Sequence, residues 1–315
     1  MAFYSPDPAM AQVLADLVGL LELQGRLGLA QQLSITWVRF DRSQIGAALD
    51  GGSEAFWQRR PPGAGWGGDR QRYPASVVKL VYLIAAEAWL QEGLLEPDQE
   101  LQRALEDMIR DSSNDATGLV VDLLSGTTSG PALPPERMRA WTAQRQLVNQ
   151  WLTAMAWSEL QGCNACQKTW GEGPYGRERV FYGSELENRN SLSSDAASRL
   201  LLAVIASALV SPPACGRMRQ ILWRPLDPAS RTADPENQVD GFLGAGLPEG
   251  ASLWSKAGWM SQARHDVAYV EAEGHSPFLL AVFSEGAAQA ADATLLPDIA
   301  AHLAHACRLS GTGTG

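Results

Sequence analysis

Apolar residues recur along the chain in two rhythms, one helical and one alternating. From about Pro8 to Ala30, Met10, Val13, Leu14, Leu17, Val18, Leu20, Leu21 and Leu27 stand at helical spacing, which predicts an amphipathic first helix. Leu33 to Phe40 alternates with a period of two, as a strand does, and Gln44 to Leu49 is expected as its hairpin partner. Residues 50–72 are rich in Gly, Pro and Arg. They read as a long connection with one short strand at Ala55 to Gln58, anchored by Trp57 and Trp66. Val77, Val78, Leu80, Val81, Leu83 and Ile84 follow Pro74 and make an apolar surface almost all round. That marks a helix buried at a domain centre, running to about Gln91.

Beyond it an acidic helix is expected from Glu96 to about Arg110, a second apolar one from Ala116 to Leu124, and a third from Arg137 to Met155. Residues 161–189 are turn-rich, and Ser193 or Ser194 then caps a helix to about Leu209. A Pro/Gly segment, 211–250, holds at least one short helix. Ser252 to Ala257, Val267 to Glu273 and Phe278 to Ser284 read as three strands with short links, hence an antiparallel sheet. Ala287 to Leu309 closes the chain as a helix, with Gly311 to Gly315 as a flexible tail. Strands at both ends with helices between them describe an α+β protein whose termini jointly build an antiparallel sheet flanked by helices. Residues 1–72 and 251–315 then form the sheet subdomain, and residues 73–250 a mainly helical one, with a cleft between.

Composition narrows the function. With 45% hydrophobic residues in 315, there is ample material for a core, and no apolar run is long enough to span a bilayer. A net charge of −10 argues against a nucleic-acid backbone or an anionic membrane as partner, leaving a small molecule or peptide. Four cysteines are too few for a disulfide scaffold. Cys163 and Cys166 form a lone C-x-x-C, read as a loop feature, with a local disulfide or redox pair as the alternatives. His302 and His305 share a helix face with no third ligand, so neither a metal nor another cofactor is expected. Met1 to Pro8 lacks the basic and apolar regions of a secretory leader. The chain as it stands reads as cytoplasmic, and a periplasmic or secreted protein trimmed of its leader would look the same.

Chemistry gathers where the central helix begins. Ser76 and Lys79 lie three apart, hence on one helix face, beside unpaired N–H groups and the positive end of the helix dipole. A weak nucleophile, a candidate base and an anion-stabilising backbone coincide there, as acyl transfer requires. Ser112 and Asn114 stand two apart on a loop entering a helix, and Lys256-Ala257-Gly258 lies on a strand with two small residues that admit a substrate backbone. Ser-x-x-Lys, Ser-x-Asn and Lys-x-Gly in this order resemble the penicillin-recognising serine hydrolases, most of all the class A β-lactamases. The resemblance runs from the first helix to the last.

It implies a β-lactamase/transpeptidase-like fold, with Ser76 as the acylated nucleophile and Lys79 as its proton-handling partner. Ser112 would pass a proton toward the leaving nitrogen, Asn114 would hold the substrate amide, and Lys256 would be a second cation. The main-chain N–H groups of Ser76 and Trp259 would form the oxyanion hole. Two ammonium groups near one hydroxyl would lower each other's pKa, leaving one lysine neutral. The departures also carry meaning. Ser113 stands where the family has Asp, and Ala257 where Thr or Ser binds the substrate carboxylate. Arg264 or His265 falls where a carboxylate-binding cation is common. The deacylating Glu should lie within 161–189, where the family's local pattern is missing; Glu172, Glu178, Glu185 and Glu187 are candidates, with Glu178 nearest the expected offset. Three readings follow: a lactam hydrolase, a slow penicillin-binding, D,D-peptidase, esterase or amidase relative, and an idle binding relative.

Overall fold

The computed structural model describes residues 2–309, so the tail expected at Gly311–Gly315 lies outside it. Seven strands form one sheet: β1 (Ser5–Pro6), β2 (Leu33–Arg39), β3 (Pro62–Trp66), β4 (Trp223–Arg224), β5 (Ser252–Met260), β6 (Ala263–Glu271) and β7 (Phe278–Glu285), in the order β1-β3-β2-β7-β6-β5-β4. Every pair is antiparallel except β1 with β3. The two chain ends meet where β2 pairs with β7 over seven residues, from Leu33 opposite Ser284 to Arg39 opposite Phe278. The fold is α+β, as the pattern of elements implied.

Both faces of this sheet are covered. Ile35 and Trp37 of β2, with Leu280 and Val282 of β7, pack under the first helix (Pro8–Leu23) and the closing helix (Leu295–Ala306). Val38, Leu279, Ala281 and Phe283 face the other way, into the core around the central helix (Lys79–Gln91) and the helix Ser194–Ala206. A strand buried on both faces loses the polar half of its alternation, which is why β7 reads as a continuous apolar run. The middle of the chain also supplies the edge strand β4. Among the described residues no helix is long and apolar enough to cross a membrane.

Several elements differ from expectation for local reasons. The first helix, capped by Asp7 at Ala9 N and Met10 N, stops at Leu23 because Gly25 and Gly28 adopt φ of +100 and +76. Gln44–Leu49 is a turn rather than a strand: Gly46 N and Ala48 N donate to Ile205 O and Ala206 O, satisfying the open carbonyls at the end of the Ser194 helix. Gly52–Gln58 is helical, where a strand was expected at Ala55. The helix expected over 137–155 is two, Pro135–Arg145 and Leu147–Ala154, and the break follows Arg145, whose guanidinium is drawn inside to Asp122 and Glu178. The closing helix is interrupted where Asp292 caps Thr294 N and Leu295 N.

Candidate active site

The candidate nucleophile stands where a loop becomes a helix. Tyr73 and Pro74 lead into one 3-10 turn, Ala75–Val78, which runs straight into the central helix. Ala75 has φ +45, in the left-handed region that costs a residue with a Cβ roughly 1–2 kcal/mol. Two contacts from the sheet hold this turn. His265 on β6, fully buried, bonds Tyr73 O at 2.9 Å through Nε2 while its Nδ1 accepts from Ser284 N at 3.0 Å. A ring whose Nδ1 accepts carries its proton on Nε2, so His265 donates to Tyr73. Burial pushes its pKa down to about 4 and keeps it neutral. His265 therefore positions the turn and is no cation for a substrate carboxylate. Gly258 on β5 makes the second contact: a Cβ there would lie 2.8 Å from Ser76 N and 2.9 Å from Pro74 O. Only glycine lets the strand approach this closely.

Beside Ser76 two amines converge on one hydroxyl. Lys79 Nζ is 3.1 Å from Ser112 Oγ and 2.9 Å from Asn114 Oδ1, and it also donates to Ser112 O. Lys256 Nζ is likewise 3.1 Å from Ser112 Oγ, and it donates to Gln238 Oε1 and, at 2.7 Å, to Ala257 O. Both amines are fully buried, whereas Ser76 and Ser112 are half-buried and Asn114 is exposed. Burial lowers the Lys79 pKa to about 7. It also holds Lys256 well below its ordinary value, with Lys79 and Arg224 nearby adding to the effect. Desolvation thus outweighs the mutual repulsion expected of two ammonium groups. Among the described residues no carboxylate bonds either amine, and no side-chain hydrogen bond holds Ser76.

Ser112 also occupies the left-handed region, at φ +55. Ser113 Oγ then accepts from Ala116 N at 3.1 Å and caps a helix that starts at Asn114, two residues earlier than expected. Serine and aspartate are equivalent caps, which accounts for the exchange at the centre of the motif.

Two residues outside the motifs fasten these parts together. The helix Gln99–Arg110 ends just before Ser112, and its last carbonyls have no partner within the helix. Arg224 on β4 donates to Ile109 O at 2.7 Å and Arg110 O at 3.0 Å, and Gln238 Nε2 donates to the same two at 2.9 and 2.7 Å. Gln238 Oε1 meanwhile accepts from Lys256 Nζ and Ala257 N. The segment 211–250 shows no periodicity that would single out Gln238. The one clue to Arg224 is a basic residue set between Trp223 and Pro225 in apolar surroundings. Asp266, buried behind Lys256 on β6, has its pKa pushed up to about 7 by burial and was not anticipated.

The remaining candidates are spread around this group. Because β4 pairs with β5 only at Leu253 and Trp254, the β5 edge at Gly258 and Trp259 carries no strand. Trp259 is 59% exposed, and its indole donates to Ala290 O at 2.9 Å. Arg264 is buried against the Phe242 and Trp259 rings and donates to Ala290 O at 3.0 Å and Gly241 O at 3.1 Å. Glu178 is buried in a separate network, where Arg145 and Ser129 donate to it. None of its hydrogen bonds reaches Ser76, Lys79 or Ser112. The loop over 161–189 is pinned to the central helix one turn beyond Lys79: Tyr82 OH and Asn190 Nδ2 both donate to Gln167 O, at 2.6 and 3.0 Å. Cys163 and Cys166 are free thiols. A cavity of about 590 Å³ opens beside Asn114, lined among others by Ser129, Lys168, Thr169 and Trp170.

The chain belongs to the β-lactamase enzyme family, whose sequence model matches residues 100–306. Its fold is that of solved members. PBP-A is 16% identical with a TM-score of 0.58, the alignment covering 96% of this chain and 97% of that one. A β-lactamase from Sphaerobacter thermophilus is 18% identical with a TM-score of 0.63, covering 94% and 97%. One from Xanthomonas campestris pv. campestris is 16% identical with a TM-score of 0.60, covering 93% and 97%. No curated protein matches the chain.

Proposed function

We propose that the protein is an acyl-serine hydrolase that takes β-lactams or related amides at Ser76 and releases the acyl group slowly. The observation that carries this reading is the single hydroxyl of Ser112 held 3.1 Å from each of two buried amines, beside the turn that presents Ser76. An idle binding site has no need to bury two lysines at the cost of several kcal/mol of desolvation. In the proposed reaction Ser76 Oγ attacks the substrate carbonyl carbon and forms the ester C–O bond, while its proton passes to Lys79, neutral above a pKa of about 7. As the C–N bond breaks, Ser112 gives its proton to the departing nitrogen and is resupplied from the amines bonded to it. The N–H groups of Ser76 and Trp259 receive the negative charge on the carbonyl oxygen. Asn114 and the adjoining cavity take the acyl portion, and Arg264 supplies positive charge behind Trp259.

Slow release is supported by the surroundings of Lys79, whose partners are two oxygens of Ser112 and one of Asn114 rather than a carboxylate. Glu178 is engaged by Arg145 and Ser129, and none of its hydrogen bonds is to Ser76, Lys79 or Ser112, which favours a slow second step. Among relatives of this fold, a PBP-A mutant has been solved as an acyl-enzyme complex with penicillin G. Mixing the protein with a chromogenic cephalosporin should give a burst of about one equivalent followed by slow turnover, with the adduct on Ser76 seen by intact-protein mass. Ser76→Ala should show neither. Fast steady turnover without an adduct would overturn the slow-release part, and no reaction at all would favour a substrate outside the lactams.

A further inference from the structure

A second site lies away from this chemistry, at the other end of β2. A cavity of about 730 Å³ opens there, and Arg39, Arg42, Arg59, Arg60 and Arg308 line it, with Asp41 as the one carboxylate among the described lining residues. This gathering stands out in a chain of net charge −10. Among the described residues none of the five arginines is in an ion pair, although arginines elsewhere in the molecule are paired repeatedly, as Arg26, Arg72, Arg145 and Arg199 show. Like charges around one concavity repel and focus a positive field into it, so an anion entering it gains from all of them.

Arg60 adds a second, independent sign. Its backbone sits at φ +41, a conformation that non-glycine residues adopt at a cost and that recurs at functional sites. Its Nε is buried without a protein acceptor, while Nη2 donates to Tyr4 O at 3.2 Å. A buried N–H with no partner carries a desolvation penalty that nothing in the protein offsets. Phe3, Phe40, Phe56 and Trp57 also line it, the Arg59 guanidinium lying 5.9 Å from the Phe56 ring centre. The volume falls within the range of small-molecule pockets. Guanidinium groups bind phosphate and carboxylate through paired N–H donors, and aromatic walls take a flat ring.

We infer that this cavity binds a small aromatic compound bearing two or more phosphate or carboxylate groups. The site is distinct from the Ser76 centre. Arg39 lies three strands across from β5 and three positions further along the register than the residue level with Lys256. With strands about 4.8 Å apart and residues about 3.3 Å apart, the two are separated by roughly 17 Å.

Isothermal titration at low salt with adenosine 5′-diphosphate, inorganic pyrophosphate and adenosine, each without metal, tests the inference. The diphosphate should bind saturably, at least tenfold tighter than either fragment, and weaken as salt is added. The double variant Arg42→Glu, Arg308→Glu changes two exposed side chains and should keep its unfolding midpoint without ligand. It should lose at least tenfold in affinity, whereas Ser76→Ala should bind as the unchanged protein does. Binding that survives the double variant, pyrophosphate that binds as tightly as the diphosphate, or no saturable binding would each overturn it.

Discussion

At the scale of single residues, the informative feature is that both lysines are buried more deeply than the hydroxyls they serve. Desolvation disfavours the charged form of an amine, so Lys79 falls from 10.5 to about 7 with no carboxylate to hold the proton. The direction fixes the pH dependence. Above about pH 7 Lys79 is the free base and can take the Ser76 proton; below it Lys79 is an ammonium and cannot. The acylation rate should therefore rise with pH, fall about tenfold per unit below the pKa and level off above it. Rapid-mixing measurements of the burst from pH 5 to 9 would show this. A rate that stays flat through pH 7 would assign the proton to another group. The sequence placed these residues in one helix turn and one strand but not their partners. Lys79 bonds Ser112 and Asn114, a choice set by tertiary packing that helical spacing does not contain.

Among elements, the contact that matters most is between β5 and the 3-10 turn of Ser76. The gap is closed to the point where a single methyl group would collide with Ser76 N, Pro74 O and Val77 N. Two of these are backbone N–H groups at the start of the turn, and one belongs to the expected oxyanion site. Gly258→Ala should push the strand and the turn apart by a fraction of an ångström to an ångström. That displacement costs acylation about a hundredfold while leaving the fold in place. Burst amplitude and rate, with circular dichroism as the control, would measure it; unchanged acylation would mean that the turn yields freely. Elements of this kind were legible wherever local pattern governs them: the central helix, β2, β5 and β7 follow from apolar spacing, and the Ser193 cap from its hydroxyl at Ala196 N. β6 was expected to begin at Val267 but starts at Ala263. Its opening polar residues, Arg264, His265 and Asp266, are buried, each with at least one hydrogen-bond partner inside the protein, though Asp266 Oδ1 has none. Burial of that sort depends on distant carbonyls and amides, so no local rule reveals it.

Over the whole molecule, the site is shared between segments that no single lobe could hold. Ser76 and Lys79 come from the first third of the chain, Ser112 from the middle third and Lys256 and Gly258 from the last, and β2 locks the first third to β7. The helix Ser194–Ala206 from the middle segment packs on β2, β6 and β7, and Arg224 and Gln238 tie the end of the Gln99–Arg110 helix to β5. The core on each side of the sheet uses alternate residues of the same strand β7, so neither side can come apart without exposing the other. These shared surfaces favour one cooperative transition over separate unfolding of a sheet part and a helical part. Urea titration followed by far-ultraviolet circular dichroism and by the capacity for acylation should give coincident curves. Leu303→Ala in the closing helix, remote from Ser76, should shift both midpoints together by an amount equivalent to about 2–5 kcal/mol. Acylation lost well before the dichroism would show that the helical part and the sheet separate while each remains folded, and that the bonds around Lys256 and Ser112 give way first.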